Sequence, residues 1–384
     1  MTKLMNTYPA QSVTFVKGSG SYLWDDTGRR YLDFLSGIAV TSLGHAHPAV
    51  AAAICKQAST LLHVSNLFGT VAQHGVAEVL DGLIGGGGQV FFANSGAEAN
   101  ECAIKLARKW GGRGRHVVVS AYGSFHGRTL TTLAATGQPA KHEPFQPLPE
   151  GFRHVAWKDV EALEAAIDPA TVAVLLESVQ GEGGVSPAGE DYFRAVRQLC
   201  DDRNLLMIVD EVQTGLGRTG EWFGFQHYGV SPDVVTVAKA LGNGVPIGAC
   251  WAREDVAAAF VPGDHATTFG GQPLAAAAAL ATLETMQSED VTARATEQGE
   301  KLRTSLAALA GVTEVRGLGL LLAVELVPGL VAGDVAAAAL EAGLVLNAVT
   351  ASALRLAPSL LVSDHEIDEA VAILTGVLDQ AAGR

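Results

Sequence analysis

The stretch Leu205–Val245, LLMIVDEVQTGLGRTGEWFGFQHYGVSPDVVTVAKALGNGV, decides how the chain folds. Its apolar run Leu205–Val209 stops at Asp210 and Glu211. A second run, Val234–Ala238, stops at Lys239 before a Gly-Asn-Gly turn. Short apolar runs bounded by turn signals suit strands covered on both faces, although periodicity alone also admits a buried helical segment. In an open α/β sheet, ligands bind beyond the carboxyl ends of the strands. Two strands ending in a carboxylate and an amine would aim both groups into one crevice. A buried lysine loses solvation, so its pKa falls and a nucleophilic amine becomes available for carbonyl chemistry. A facing carboxylate can hold the ring nitrogen of a planar ligand protonated. The plainer alternative is a strand-end lysine in a structural ion pair, and Lys239 alone does not decide.

Around this block, strand-like runs recur between Gln89 and Ala252: QVFFAN, RHVVVSA, TVAVLLE, LLMIVD, DVVTVA and IGACWA. Most are separated by helical patterns such as EANECAIKLARKW and EDYFRAVRQLCDD. This alternation predicts an α/β fold with a mostly parallel central sheet covered by helices. Upstream, FVKGSGSYLWDDTGRRYLDFLSGIAV has alternating segments either side of Asp-Asp-Thr-Gly, a hairpin signal. Pro48 to about Leu83 takes Ala-rich helical spacing. After about Met286 the pattern predicts a long helix, strands in VRGLGLLLAVEL and LRLAP, and a terminal helix. The expected layout is residues 1–50 as the N-terminal segment of a small lobe, 51–285 as a large α/β domain and 286–384 as a C-terminal α+β domain. The smaller lobe is then built from both termini.

The 384 residues suffice for two or three lobes and a large core. A net charge of −14 argues against nucleic acid or an anionic membrane as partner. An anionic substrate must therefore be captured by a few placed arginines. The N-terminal MTKLMNTYPAQS has no secretory pattern, and no run reaches the roughly 18 apolar residues of a membrane helix. Cys55, Cys102, Cys200 and Cys250 are scattered and read as reduced thiols of a cytoplasmic protein.

Asn94-Ser-Gly-Ala-Glu98 follows a strand and opens a helix. Its free N–H groups can hold an anion, and Ser95-x-x-Glu98 is equally a capping box. Gly215–Gly220 spells GxGxxG, yet Asp-Glu-Val-Gln separates it from its strand and no apolar helix follows, which counts against a dinucleotide site. In Ser124-Phe-His-Gly-Arg128 an aromatic can stack on a planar ligand and an arginine can grip a carboxylate. A core phenylalanine beside a solvated arginine is the alternative. His45 and His47 lack a third ligand at zinc spacing, so no metal is expected. Glu177 and Glu182 form another sheet-end acidic pair. Arg355, in an apolar strand, needs a partner such as one of these glutamates or a ligand carboxylate.

The block LMIVDEVQTGLGRTGEWFGFQHYGVSPDVVTVAKALGNGVPIGA, with NSGAEANECAIKLAR, FHGRT, ESVQGEGGV, TTFGGQPLAAAAALATLE and LRLAPSL, occurs in a familiar order. From about Tyr22 onward the chain resembles the class III, fold-type I aminotransferases that depend on pyridoxal 5'-phosphate. The resemblance implies Lys239 as the lysine that carries the cofactor and Asp210 as partner of its pyridine nitrogen. It implies Gln213 near the ring hydroxyl, Phe125 on the ring face, and Ser95, Gly96 and Ala97 on the phosphate. Thr268 would reach that phosphate from a neighbouring subunit, implying a homodimer with shared active sites.

Within the family, SGIAV (36–40) and HVSNLF (63–68) are most similar to members that take N2-acetylornithine as donor and 2-oxoglutarate as acceptor, in arginine biosynthesis. That similarity makes Arg128 the holder of the donor's α-carboxylate and Thr267 a substrate contact. Arg355 and Glu182 become a carboxylate-binding arginine and its masking partner. Ile38 stands where ornithine-specific members have tyrosine, and Gln272 replaces the usual asparagine. The implied chemistry is ping-pong transfer of a terminal amino group, leaving N-acetylglutamate semialdehyde and glutamate. Succinylornithine, succinyldiaminopimelate, ornithine and 4-aminobutyrate stay open as donors. A noncatalytic scaffold and an oxidoreductase using Gly215–Gly220 are readings from other classes.

Overall fold

The structure is a computed structural model that describes residues 3–381 and 383. Its central sheet has seven strands: β1 (Gly88–Ala93), β2 (Val117–Ala121), β3 (Phe152–Val155), β4 (Thr171–Glu177), β5 (Leu206–Asp210), β6 (Val234–Val237) and β7 (Gly248–Arg253). Their spatial order is β1-β7-β6-β5-β4-β2-β3, and only β7 runs against the rest. Every residue of β2, β4, β5 and β6 is buried. Strands buried on both faces need no polar alternation, which is why their sequences read as unbroken apolar runs. The partly exposed edge strand β3, FRHV, carries no such run.

Helices cover both faces. Leu206 and Ile208 point to the side packed by helix α1 (Gly96–Gly111), where Cys102, Ala103 and Leu106 are buried. Met207 and Val209 point to the side of helix α2 (Glu190–Arg203), against Phe193 and Val196. These four strand residues are fully buried, each contributing about 1.5–3 kcal/mol.

A second sheet brings together segments from both halves of the chain. Leu344–Val345 adds in parallel to Arg30–Asp33, extending the sheet made by Phe15–Ser19 and Tyr22–Asp25. The expected turn at Asp-Asp-Thr-Gly forms because the Asp25 carboxylate accepts from the Thr27 N–H, the Thr27 hydroxyl and the Arg29 N–H. VRGLGLLLAVEL folds as two antiparallel strands, Val312–Leu318 and Leu321–Leu326, turning at Gly319 with φ 51°. The helical region after Pro48 is two helices, Pro48–Ala58 and Val71–Ile84, parted by residues 59–70, which form neither helix nor strand. Among the described residues, no helix is long and apolar enough to cross a membrane.

The Gly215–Gly220 segment is a structural pin. Arg218 is fully buried and donates to the carbonyls of Leu320 and Pro358 and to the Ser42 hydroxyl. Burial pushes its guanidinium down to about 9. The segment thus ties the loop beyond β5 to residues near both ends of the chain.

Candidate active site

β5 and β6 are adjacent and parallel, with Asp210 in register with Thr236, so both strands end on the same edge. There the Asp210 carboxylate is almost wholly buried. Its Oδ2 accepts from Asn100 Nδ2 at 2.7 Å and His126 Nδ1 at 2.9 Å, and its Oδ1 accepts from the Val212 N–H at 3.0 Å. Asn100 lies one turn into α1 and its own carbonyl accepts from Thr236 Oγ1 at 2.7 Å. A carboxylate held from three sides has one orientation, which is what a fixed charge facing a ligand requires.

Lys239 follows β6 in a left-handed conformation, φ 43°, uncommon for a side chain with a Cβ and of the kind stored at functional sites. Among the described residues, no carboxylate lies within ion-pair distance of its ammonium and no group hydrogen-bonds it. Burial, reinforced by the Arg355 charge, brings the amine down to about 8 against the opposing pull of Glu182, Asp210 and Glu177. The ion-pair alternative for Lys239 therefore has no partner here.

A cavity of about 460 Å³ lies over these groups, within the size range of cofactor pockets. Ser95, Gly96, Ala97, Phe125, Arg128, Glu182, Asp210, Gln213 and Lys239 all line it. Ser95 caps α1 by accepting from the Glu98 N–H at 3.2 Å. Glu98 in turn accepts from the Asn94 N–H at 2.7 Å, a capping box displaced by one residue. The Gly96 and Ala97 N–H groups, the first of the helix, have no intrahelical acceptor, and both residues line the cavity. A Cβ on Gly96 would stand 2.7 Å from Val212 Cγ1, so only glycine lets the backbone close here.

The two sheet-end glutamates part company. Glu177 accepts from the Phe125 N–H at 3.2 Å and the Gly181 N–H at 3.3 Å, and burial followed by the Asp210 charge pushes its carboxyl up. Glu182 pairs with Arg355 at 2.6 Å, and Arg355 also donates to Gln213 Oε1 at 3.3 Å. Burial opposes ionisation of Glu182, but the charge and hydrogen bond of Arg355 outweigh it and hold the carboxyl below its ordinary value. Arg355 stands one layer behind the cavity wall, and Arg128 sits with its guanidinium 5.7 Å from the Phe125 ring centroid.

Three expected residues lie elsewhere in this chain. Thr267 and Thr268 line a separate cavity of about 830 Å³, and Ile38 is 38% exposed, with Val40 reaching the Lys239 cavity in its place. Asn100 and His126 went unpredicted as partners of Asp210, because their link to it is purely spatial. His45 donates to or accepts from Asp33 at 2.7 Å, a structural contact.

The site fits pyridoxal 5'-phosphate: an unpaired amine, an oriented carboxylate, an aromatic ring and bare helix N–H groups surround one cavity.

Comparison with known proteins points the same way. The family model for aminotransferase class-III matches residues 5–378. An acetylornithine aminotransferase from Gloeobacter violaceus is 50% identical over 388 residues, covering 97% of this chain and 95% of that protein. The ornithine aminotransferase of Toxoplasma gondii, described with partial occupancy of PLP at its active site, superposes with a TM-score of 0.94 at 34% identity, over 99% of this chain and 93% of its own. The N-acetylornithine aminotransferase of Stenotrophomonas maltophilia gives 0.86 at 36% identity, over 98% of each chain. A match over almost the whole length, on a sheet whose edge presents this amine and this carboxylate, makes the chain a member of the class III aminotransferases.

Proposed function

We propose that this aminotransferase moves the terminal amino group of N2-acetylornithine to 2-oxoglutarate, giving N-acetylglutamate semialdehyde and glutamate. The observation that carries the reading is the Glu182–Arg355 ion pair beside the Lys239 amine. The donor's reacting end is an amine with no carboxylate beside it, and a masked arginine suits that end. 2-Oxoglutarate presents a carboxylate next to its keto carbon, and Glu182 moving aside would free Arg355 to bind it. Arg128 would hold the remote carboxylate of either substrate. An acylated donor avoids desolvating a second cation, a cost of several kcal/mol when unpaired. The names of the Gloeobacter and Stenotrophomonas relatives support the same donor.

When bound, pyridoxal 5'-phosphate supplies the electron sink for the substrate carbon and carries the amino group between half-reactions. Lys239 would carry it covalently, Asp210 would hold its ring nitrogen, Phe125 its ring face, and Gln213 its ring hydroxyl. Ser95, Gly96 and Ala97 would hold the phosphate, with Thr268 of the partner subunit completing the site in a homodimer and Thr267 contacting substrate. Lys239 Nζ then moves the proton at the substrate carbon, and its pKa near 8 keeps a usable fraction of free amine at neutral pH. The four unpaired thiols suit a reducing compartment, which supports a cytoplasmic enzyme.

Steady-state assay of a panel of ω-amines with 2-oxoglutarate tests the reading. N-Acetylornithine should exceed ornithine in kcat/KM by at least about tenfold, roughly 1.4 kcal/mol at the transition state. Equal or reversed preference overturns the donor assignment.

A further inference from the structure

Beside the Phe125 ring, which lines the Lys239 cavity, stands a second cation that the proposed function does not use. Lys141 lies on the short helix Pro139–His142, and its ammonium is 5.3 Å from the centroid of the Phe125 ring that lines the cavity. The Arg128 guanidinium is 5.7 Å from the same centroid. Two cations on one ring repel each other, and the ring quadrupole offsets only part of that. Among the described residues, neither has a carboxylate within ion-pair distance, since Glu182 is committed to Arg355. Among the described residues, the only hydrogen-bond partner of the Lys141 ammonium is the neutral amide oxygen of Gln138.

That amide is itself anchored. Gln138 Nε2 donates to the Ser124 carbonyl at 2.9 Å, fixing it to the loop that carries Phe125 and Arg128. A surface lysine with no role would extend into water, whereas Lys141 is partly buried and tethered over the ring. Burial and then the Arg128 charge lower its pKa, while Glu182 raises it. A fixed pair of cations with no counter-ion is complementary to an anionic group brought by a ligand.

We propose that Lys141 is a specificity-determining residue: with Arg128 it receives the carboxylate at the substrate end remote from the reacting carbon, and it repels a free ammonium at that end. This rests on the aminotransferase reading above and adds a reason for choosing an acylated donor. Ornithine brings an α-ammonium together with its α-carboxylate, so attraction and repulsion at Lys141 nearly cancel. N2-Acetylornithine brings the carboxylate beside a neutral amide, and 2-oxoglutarate brings a carboxylate alone.

Calorimetric binding of glutarate, which has the two carboxylates of 2-oxoglutarate and no keto group, tests the proposal on the holoenzyme without turnover. In Lys141→Gln and Lys141→Met the Kd should rise about tenfold, equivalent to roughly 1.4 kcal/mol, while in Lys141→Arg it should stay within about threefold. In the neutral variants kcat/KM for N-acetylornithine should fall about tenfold and that for ornithine by less than about threefold, narrowing the preference. An unchanged glutarate Kd in both neutral variants, or an equal loss in Lys141→Arg, overturns the proposal. If the wild-type enzyme binds glutarate through Lys141 yet does not turn over N-acetylornithine, the donor assignment fails and the role of Lys141 stands.

Discussion

Arg355 and Glu182 meet at 2.6 Å, joining a guanidinium that is 1% exposed to a carboxylate still open to the cavity. The arginine comes from the strand Ala353–Leu356 and the glutamate from the loop beyond β4, so the pair joins the central sheet's edge to the C-terminal strands. Under the proposed function this buried arginine would exchange an internal carboxylate for a substrate carboxylate and so stay paired throughout.

Replacing Glu182 by Ala removes the mask. The donor half-reaction should slow by about tenfold or more, while the 2-oxoglutarate half changes by less than about threefold. Single-turnover measurement of each half separates them, and equal slowing would mean that Glu182 does not govern Arg355. The melting temperature should also fall, because one partner of a buried pair is gone.

Asp210→Asn keeps the shape of the side chain and removes its charge. The amide would also turn an N–H toward Asn100 or His126, both donors to the present carboxylate. The donor half-reaction should fall by roughly 10²–10³, the usual loss for one preorganised electrostatic group. A near-normal rate would show that this charge is not used.

How much of this was readable beforehand depends on whether a signal was local. Asp210 and Lys239 stood out because each ends an apolar run, and Ser95–Ala97 because a strand runs straight into a helix. Asn100 and His126 carried no such mark. They are 110 and 84 residues from Asp210 in sequence, and only the packing of α1 and the Ser124–Arg128 loop on the sheet edge brings them to it. Arg218 sat within a misleading glycine pattern, and its three oxygen partners come from distant segments. β3 was silent because an edge strand with arginine and histidine has no buried period to read.

The lysine amine should titrate far below an ordinary lysine. In cofactor-free enzyme, the reactivity of Lys239 toward an amine-directed acylating reagent should rise with pH and level off above about 8, whereas exposed lysines keep rising toward their ordinary 10.5. Because the folded pKa is depressed, the unfolded chain binds the extra proton between these values. This group therefore adds stability as pH rises from about 8 toward 10.5, and that stability is lost as pH falls through 8. Competitive labelling read by mass spectrometry gives the pKa, and a value near 10.5 would contradict the burial argument.

Thr268 is exposed and away from the Lys239 cavity of its own chain, so its proposed role must be exercised across a subunit boundary. Mixing inactive Lys239→Ala with a phosphate-impaired Thr268→Val variant should restore activity, since one site of each mixed dimer would carry both lesions and the other neither. No recovery, with subunit exchange shown by native mass spectrometry, would place Thr268 outside a shared site.

Borohydride reduction of the cofactor-loaded enzyme, followed by peptide mass mapping, tests the central assignment most directly. Ser95, Phe125, Arg128, Glu182, Asp210 and Gln213 line one cavity with the unpaired Lys239 amine. The reduced pyridoxyl group is predicted on the peptide containing Lys239 and on no other lysine. Stoichiometric attachment elsewhere, or no attachment in a protein that still catalyses amino transfer, would contradict the account.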